Sequence, residues 1–285
     1  MTRQDFRFFH PLRVRWAEVD MQKIVFNAHY LMYFDTAITD YWRALSLPYQ
    51  ETMDLLGGDL YVKKASIEYH GSALFDDRLD VALRLSRVGT SSMVFAGAIF
   101  RGDAQLISSE LIYVFADPAT QKAKPVPAAL KGVLLGYEAG EVSHTIKTGT
   151  WAELGQDAAQ VRVQVFVEEQ KIPAEMEWDA ADQTALHAVA YNGLNQAIGT
   201  ARLLEDTPQT AKIGRMAVKR VLRGSNIGRE LLDALIDVAR QQGKAKVVLH
   251  AQRSAQNFYA RSGFEVSGEP FDEVGIAHIE MVKTI

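Results

Sequence analysis

Residues 223–228 read Arg-Gly-Ser-Asn-Ile-Gly, and they precede a predicted helix with apolar residues at Leu231, Leu235 and Val238. A helix that begins in a short loop of small residues exposes backbone N–H groups at the positive end of its dipole. Such groups are suited to bind a pyrophosphate. The alternative is an ordinary surface turn between a strand and a helix. The loop therefore predicts a site for a phosphorylated cofactor.

The elements after this loop indicate which cofactor it binds. Gly243 ends the helix, a strand is predicted at 247–251, and residues 258–264 read Phe-Tyr-Ala-Arg-Ser-Gly-Phe. This order resembles the GNAT acyltransferases over roughly residues 145–285. The resemblance implies that the loop holds the pyrophosphate of acetyl-CoA or another acyl-CoA. It places the cofactor contacts at Met216, Ala217, Val218, Arg223, Gly224, Ser225, Asn226, Ile227, Gly228, Arg229 and Asn257.

Asn226 stands where the family has the middle glycine of this loop. Among non-glycine residues, asparagine best tolerates a left-handed backbone, so we expect the loop to form.

The resemblance also assigns Tyr259 as the general acid that protonates the leaving CoA thiolate. A tyrosine with a pKa near 10 can supply a proton to a thiolate whose conjugate acid has a pKa near 8.5. The alternative is an aromatic core residue beside Phe258. The base on the amine side stays open between Glu169, Glu177, Asp179 and a water chain. His187 and His250 are expected to pack or to form hydrogen bonds.

A second pattern lies at residues 14–30, Val-Arg-Trp-Ala-Glu-Val-Asp-Met-Gln-Lys-Ile-Val-Phe-Asn-Ala-His-Tyr. It resembles the hotdog-fold acyl-CoA thioesterases of the 4-hydroxybenzoyl-CoA type, and the resemblance spans roughly residues 5–134. It implies that Asp20 is the nucleophile or the general base for water, and that the N–H of Asn27 polarises the thioester carbonyl. His29 is a further candidate, and Lys23 replaces the family's turn glycine.

Each of these residues also has a structural alternative. Asp20 could belong to a turn. Asn27 could be a helix N-cap, and His29 could be a packed or capping histidine.

The elements around this pattern predict the fold of the first half. An extended segment at 7–16 and a helical stripe from Tyr30 to Leu45 come first. Strands are then expected at 61–69, 79–88, 92–100 and 105–115. We therefore predict an α+β chain with a hotdog domain at 1–138 and a GNAT mixed α/β domain at 145–285. The junction is placed near 137–148.

Composition excludes several classes of protein. The 285 residues carry a net charge of −4 and neither half has a basic excess, so we expect no nucleic-acid partner. Cysteine is absent, which excludes disulfides, thiolate zinc sites and a cysteine nucleophile. We expect no metal and no membrane segment, and hence a cytoplasmic enzyme.

The two resemblances lead to one hypothesis. The N-terminal domain hydrolyses acyl-CoA thioesters, and the C-terminal domain transfers an acyl group from CoA to an amine. The hotdog resemblance implies a homodimer or homotetramer. Two alternatives stay open: only the acyltransferase is active while the first domain serves dimerisation, or the protein is a non-catalytic acyl-CoA sensor.

Overall fold

The computed structural model describes residues 1–273 and 275–285 and divides into two compact units, Met1–Ser143 and His144–Ile285. The division lies within the predicted junction.

The N-terminal unit is an antiparallel sheet packed against one long helix. Its helices are α1 (Asn27–Ala44), α2 (Tyr49–Leu56) and α3 (Ala128–Glu138). Its strands are β1 (Phe8–Arg13), β2 (Asp59–Tyr69), β3 (Arg78–Val88), β4 (Ser92–Arg101) and β5 (Ala104–Ala116), in the sheet order β1-β3-β4-β5-β2. A short 3₁₀ turn, Trp16–Glu18, follows β1.

The buried face of α1 explains why the helix lies on this sheet. Tyr30, Phe34, Ala37 and Tyr41 recur every three or four residues, and each is at most 2% exposed. A Cβ added to Gly97 on β4 would lie 2.5 Å from the Phe34 ring. Glycine at that position therefore lets the helix approach the sheet.

The C-terminal unit is a mixed sheet with helices on it. Its helices are α4 (Trp151–Arg162), α5 (Ala174–Glu177), α6 (Ile227–Gln241) and α7 (Gln256–Arg261), and a π-helical segment, Val163–Glu169, continues α4. Its strands are β6 (His144–Thr150), β7 (Leu186–Asn192), β8 (Ala197–Thr207), β9 (Thr210–Val218), β10 (Lys246–Gln252), β11 (Glu265–Val266), β12 (Phe271–Glu273) and β13 (Ile276–Thr284). The order is β11-β13-β10-β9-β8-β7-β6, with β12 beside β13.

The predicted strands of the first half are all present within a few residues of their expected bounds, and the α+β class is confirmed. The extended segment at 7–16 is shorter than predicted, because it ends as a strand at Arg13. Helices α2 and α3 and strand β6 are additions to the prediction. In the part of the chain that the structure describes, no helix is both long and apolar enough to cross a bilayer.

Candidate functional site

Strands β9 and β10 pair in parallel only over their first residues, Thr210–Ile213 with Lys246–Leu249. Beyond Ile213, β9 continues beside β8, whereas β10 continues beside β13. The two strands therefore separate towards their carboxyl ends. Crevices of this kind, at the carboxyl ends of adjacent parallel strands, are frequent ligand sites in α/β proteins.

The predicted phosphate loop closes one side of this crevice. Asn226 is left-handed, with φ 72° and ψ −9°, and it precedes the first residue of α6, which confirms the expected backbone conformation. Gly224 also has a positive φ of 89°. Among the described residues, the N–H groups of Gly224, Asn226, Ile227 and Gly228 have no protein acceptor. The helix terminus thus presents several oriented donors together.

These donors border a cavity of about 490 Å³. Of the predicted cofactor residues, its lining includes Met216, Ala217, Val218, Arg223, Gly224, Asn226, Ile227, Gly228 and Arg229. Ser225 and Asn257 are not among its lining residues. The Ser225 hydroxyl donates instead to the carbonyl of Leu222, and Asn257 is exposed on α7.

Gly228 leaves space in this cavity that the fold itself does not need. A Cβ at this position would lie 3.6 Å from Met216, Val218 and Phe258, which is ordinary van der Waals distance. Alanine favours a helix over glycine by about 1 kcal/mol. Gly228 therefore makes α6 less stable than alanine would, and it keeps the backbone N–H donors of the loop accessible.

Tyr259 lies where this cavity meets a second one. Both cavities are lined by Tyr259 and Met216, and the tyrosine hydroxyl lies 3.5 Å from the methionine sulfur. Burial raises the pKa of Tyr259 to about 12. The hydroxyl is therefore protonated throughout the neutral range and is available as a donor.

The second cavity, of about 390 Å³, has a more polar lining. Two of the three base candidates line it. Glu177 is 2% exposed and pairs with Arg162 and Arg215. Asp179 pairs with Arg202 and Arg215, and hydrogen bonds from Arg202 hold its pKa below the usual range.

Glu169 is not among the residues that line the second cavity. Its carboxylate accepts two hydrogen bonds of 2.7 Å from the guanidinium of Arg223. This bidentate pair links the end of the π-helical segment to the phosphate loop, so Glu169 serves the loop and not the second cavity.

His250 and Lys212 line the second cavity and were missed as site residues. Lys212 Nζ lies 3.2 Å from Nε2 of His250. The sequence contained a weak signal for His250 alone, which lies in the strand predicted at 247–251, whereas no strand was predicted at Lys212. His187, in contrast, is fully buried and stacks near Trp151, as expected for a packing residue.

In the N-terminal unit, Asp20 begins a tight turn before α1. Its Oδ1 accepts a hydrogen bond of 2.8 Å from the N–H of Gln22, and its carbonyl accepts one from Lys23. Lys23 has a φ of 63°, the left-handed conformation for which glycine is the usual residue. The turn reading of Asp20 is thus correct, and its second carboxylate oxygen makes no hydrogen bond within the described chain.

The start of α1 faces the same region. The N-cap is Phe26, so the reading of Asn27 as N-cap is wrong by one residue, and Asn27 is the first residue of the helix. Within residues 1–273 and 275–285, its N–H has no protein acceptor. Asp20, Asn27 and Tyr30 line a cavity of about 510 Å³. His29 does not line it, and its ring instead lies 6.0 Å from that of Phe26.

Glu18 fixes the loop that carries Asp20, a role that no sequence pattern indicated. Glu18 is 3% exposed and accepts hydrogen bonds from Arg15 and from the hydroxyl of Tyr33 on α1. Its backbone carbonyl accepts the N–H of Phe26. Tyr33 and Phe34 are buried and belong to the core. Trp16 is 79% exposed and is not among the residues that line the cavity at Asn27.

Among the described residues, no group of three or more histidine, aspartate or glutamate side chains could hold a metal ion.

Comparison with known proteins defines both units. The model of the acetyltransferase (GNAT) domain matches residues 154–285, and the model of the thioesterase-like superfamily matches residues 14–134. The chain thus belongs to the GNAT acetyltransferases through its C-terminal unit, and its N-terminal unit is a hotdog-like thioesterase domain. Both resemblances are confirmed, and both domains imply CoA thioesters as substrates.

Individual relatives cover one unit each. The "uncharacterized N-acetyltransferase YjcF" of Bacillus subtilis is 35% identical over 130 residues, 45% of this chain and 91% of the relative. A solved acyl-CoA N-acyltransferase from Pseudomonas aeruginosa is 29% identical, with a TM-score of 0.46, and covers 50% of this chain and 100% of its own. A 1,4-dihydroxy-2-naphthoyl-CoA thioesterase from Synechocystis is 19% identical, with a TM-score of 0.42, covering 45% of this chain and 95% of its own.

Proposed function

We propose that this protein is a bifunctional acyl-CoA enzyme, which transfers an acyl group from CoA to an amine in one unit and hydrolyses an acyl-CoA thioester in the other. The observation that carries the proposal is the pair of helix N-termini, one in each unit, whose free N–H groups border a cavity. Such termini stabilise negative charge, either on a pyrophosphate or on a thioester oxygen during reaction.

In the C-terminal unit, the phosphate loop holds the CoA pyrophosphate and Arg229 adds positive charge beside it. The acyl thioester lies between β9 and β10, at Met216 and Tyr259. The amine enters from the second cavity and gives a proton to Glu177, to Asp179 or to a water chain, and its nitrogen forms a bond to the acyl carbon. The carbon–sulfur bond breaks, and the Tyr259 hydroxyl protonates the thiolate.

In the N-terminal unit, the N–H of Asn27 polarises the thioester carbonyl. Asp20 then either attacks the carbonyl carbon, which gives a mixed anhydride that water hydrolyses, or takes a proton from the water that attacks the carbonyl carbon. The carbon–sulfur bond breaks, and a proton from this water passes to the CoA thiolate. The acyl group leaves as a carboxylic acid and CoA as a thiol. The buried contacts of Glu18 with Arg15 and Tyr33 support this role, because they hold the loop at the start of α1.

A homodimer or larger even assembly through the N-terminal unit is part of the proposal. Strand β2 is an edge of its sheet, and it exposes Tyr61, Val62 and Tyr69. Edge strands present unpaired backbone N–H and C=O groups that can pair with another chain, although the exposed Lys63 and Lys64 of β2 restrict which chain can do so. The cavity at Asn27 is also open on one side, because Met21 and Phe26 beside it are exposed.

The test is a panel of acyl-CoAs incubated with the purified protein, with free CoA measured by a thiol-reactive dye. If both units are active, CoA is released without an amine, and more CoA is released when an amine is added. CoA release only in the presence of an amine would mean that only the acyltransferase is active and that the first unit serves dimerisation. Tight binding without turnover would favour the sensor.

A further inference from the structure

The second cavity contains a cation, Lys212, for which no ion pair with a carboxylate is found among the described residues. Lys212 Nζ has one hydrogen-bond partner among the described residues, Nε2 of His250 at 3.2 Å. In that part of the chain, no carboxylate oxygen lies within ion-pair distance of this ammonium. The other two cations of the lining, Arg202 and Arg215, both pair with Asp179.

His250 does not supply the missing negative charge. Burial, and then the charge on Lys212, lower the pKa of the imidazole, so it is neutral near pH 7. Two carboxylates lie around the ring: Glu273 is 3.6 Å from Nδ1, and Glu280 is 3.8 Å from Nε2. The imidazole thus stands between Lys212 and Glu273, whereas Glu280 approaches the nitrogen that Lys212 contacts without reaching ion-pair distance of the ammonium.

The position of Lys212 sets where an anion would bind. It lies on β9, before the strands separate, and four residues before Met216, where the acyl group is proposed to lie. Four residues of an extended strand span at most roughly 13 Å. An anion at Lys212 and a nitrogen at the thioester are therefore the two ends of an elongated molecule.

We propose that the acceptor is an amine that carries a carboxylate several bonds from its nitrogen, with Lys212 as the carboxylate site. This rests on the acyltransferase function proposed above and names the substrate class of that site. A single ammonium matches a singly charged carboxylate. A charge-assisted hydrogen bond of this kind contributes roughly ten- to hundredfold in affinity.

The experiment compares two matched series on the full chain at saturating acetyl-CoA. One series runs from glycine to 6-aminohexanoate, and the other contains the alkylamines that lack only the carboxylate, from methylamine to pentylamine. The N-acetylated products are measured by mass spectrometry, so hydrolysis of acetyl-CoA does not contribute. At the best chain length, we expect kcat/KM to favour the amino acid by roughly ten- to hundredfold.

Variants test the role of Lys212. Lys212→Ala should abolish this preference through a higher KM for the amino acid, with the KM for acetyl-CoA unchanged. Lys212→Arg should retain part of it. Lys246→Ala, which removes a cation from the neighbouring strand β10, is the control and should retain all of it.

Three results overturn the proposal. The first is that the alkylamines react as well as the amino acids. The second is that neither series reacts and calorimetry detects no amino acid binding to the CoA-bound protein, and the third is that the preference survives in Lys212→Ala. Failure of the acyltransferase assignment has a different signature, because acetyl-CoA then does not bind to the C-terminal unit of the wild-type protein.

Discussion

The two candidate sites share one structural feature, although their surroundings differ. Each places a helix N-terminus beside a cavity, and each precedes it with a non-glycine residue in the left-handed conformation: Lys23 with φ 63° and Asn226 with φ 72°. The loop at Asn226 borders a cavity that joins a second one at Tyr259. The loop at Lys23 borders exposed residues such as Met21 and Phe26.

This difference indicates what each site needs to work. The C-terminal unit contains the N–H donors together with the proposed acid and the proposed acceptor cavity, so it is expected to act without a second chain. The N-terminal site has its donor and its carboxylate in a single cavity, and Met21 and Phe26 beside them are exposed, so the proposed partner copy could cover them. Changes in one loop should therefore affect one activity and leave the other intact.

Gly228→Glu is expected to have the largest effect. The new side chain brings negative charge and bulk into the phosphate cavity, so acyl transfer should be abolished and acetyl-CoA binding to this unit lost. Calorimetry with acetyl-CoA and the two activity assays provide the measurement. Gln241→Glu, which adds the same charge at the other end of α6, is the control. Unchanged affinity in Gly228→Glu would refute the loop assignment.

Asp20→Asn is the corresponding change in the first unit. Loss of the base or nucleophile should lower thioester hydrolysis by roughly 10² to 10⁴, because general base catalysis contributes about that much. Acyl transfer to an amine should continue at the wild-type rate. Asp103→Asn, in the turn between β4 and β5, is the matched control. Equal hydrolysis by Asp20→Asn and the wild type would leave this domain without its assigned catalyst.

Tyr259→Phe should slow acyl transfer by at least roughly tenfold and leave acetyl-CoA affinity nearly unchanged, since the proton is used in the transition state. The pKa of about 12 adds a prediction about pH. The hydroxyl remains protonated as pH rises to about 11, so Tyr259 should cause no alkaline decline in rate below that value. A rate that falls near pH 10 in the wild type and not in Tyr259→Phe would contradict the raised pKa.

The sequence predicted the two folds because strong local signals coincide with them. The stripe from Tyr30 to Leu45 and the apolar residues of β3 to β5 are largely buried, so pattern and packing agree. Strand β6 was missed because His144–Thr150 is an edge strand with one large apolar residue, Ile146. Its pairing with β7 is a long-range contact that periodicity cannot reveal.

The two cavities of the C-terminal unit also differ in how well the sequence predicted their residues. The phosphate loop is contiguous in sequence, so most of its lining residues could be predicted. The second cavity collects Lys212 from β9, His250 from β10 and Glu273 from β12, and their proximity depends on how far the parallel strands separate. That distance is set by the packing of the whole sheet, which no local pattern contains.

The smallest expected effect compares the two left-handed residues directly. A left-handed conformation costs a non-glycine residue about 1–2 kcal/mol, and replacement by glycine removes this cost. Part of the gain in stability is lost again, because glycine has greater conformational freedom in the unfolded chain. Lys23→Gly should therefore stabilise the N-terminal unit by up to about 1 kcal/mol. Asn226→Gly should change the C-terminal unit by only a few tenths, because asparagine tolerates this conformation and its amide lies 3.3 Å from Glu230.

Hydrogen exchange of peptides from each unit, followed through a urea titration, measures the two free energies of unfolding separately. Lys131→Gly, in the middle of α3, is the control and should destabilise the N-terminal unit by about 1 kcal/mol, since glycine disfavours a helix. If Lys23→Gly also destabilises that unit, the lysine side chain contributes to the turn beyond its backbone conformation. The left-handed residue would then be a stabilising part of the Asp20 loop and not a strained replacement for glycine.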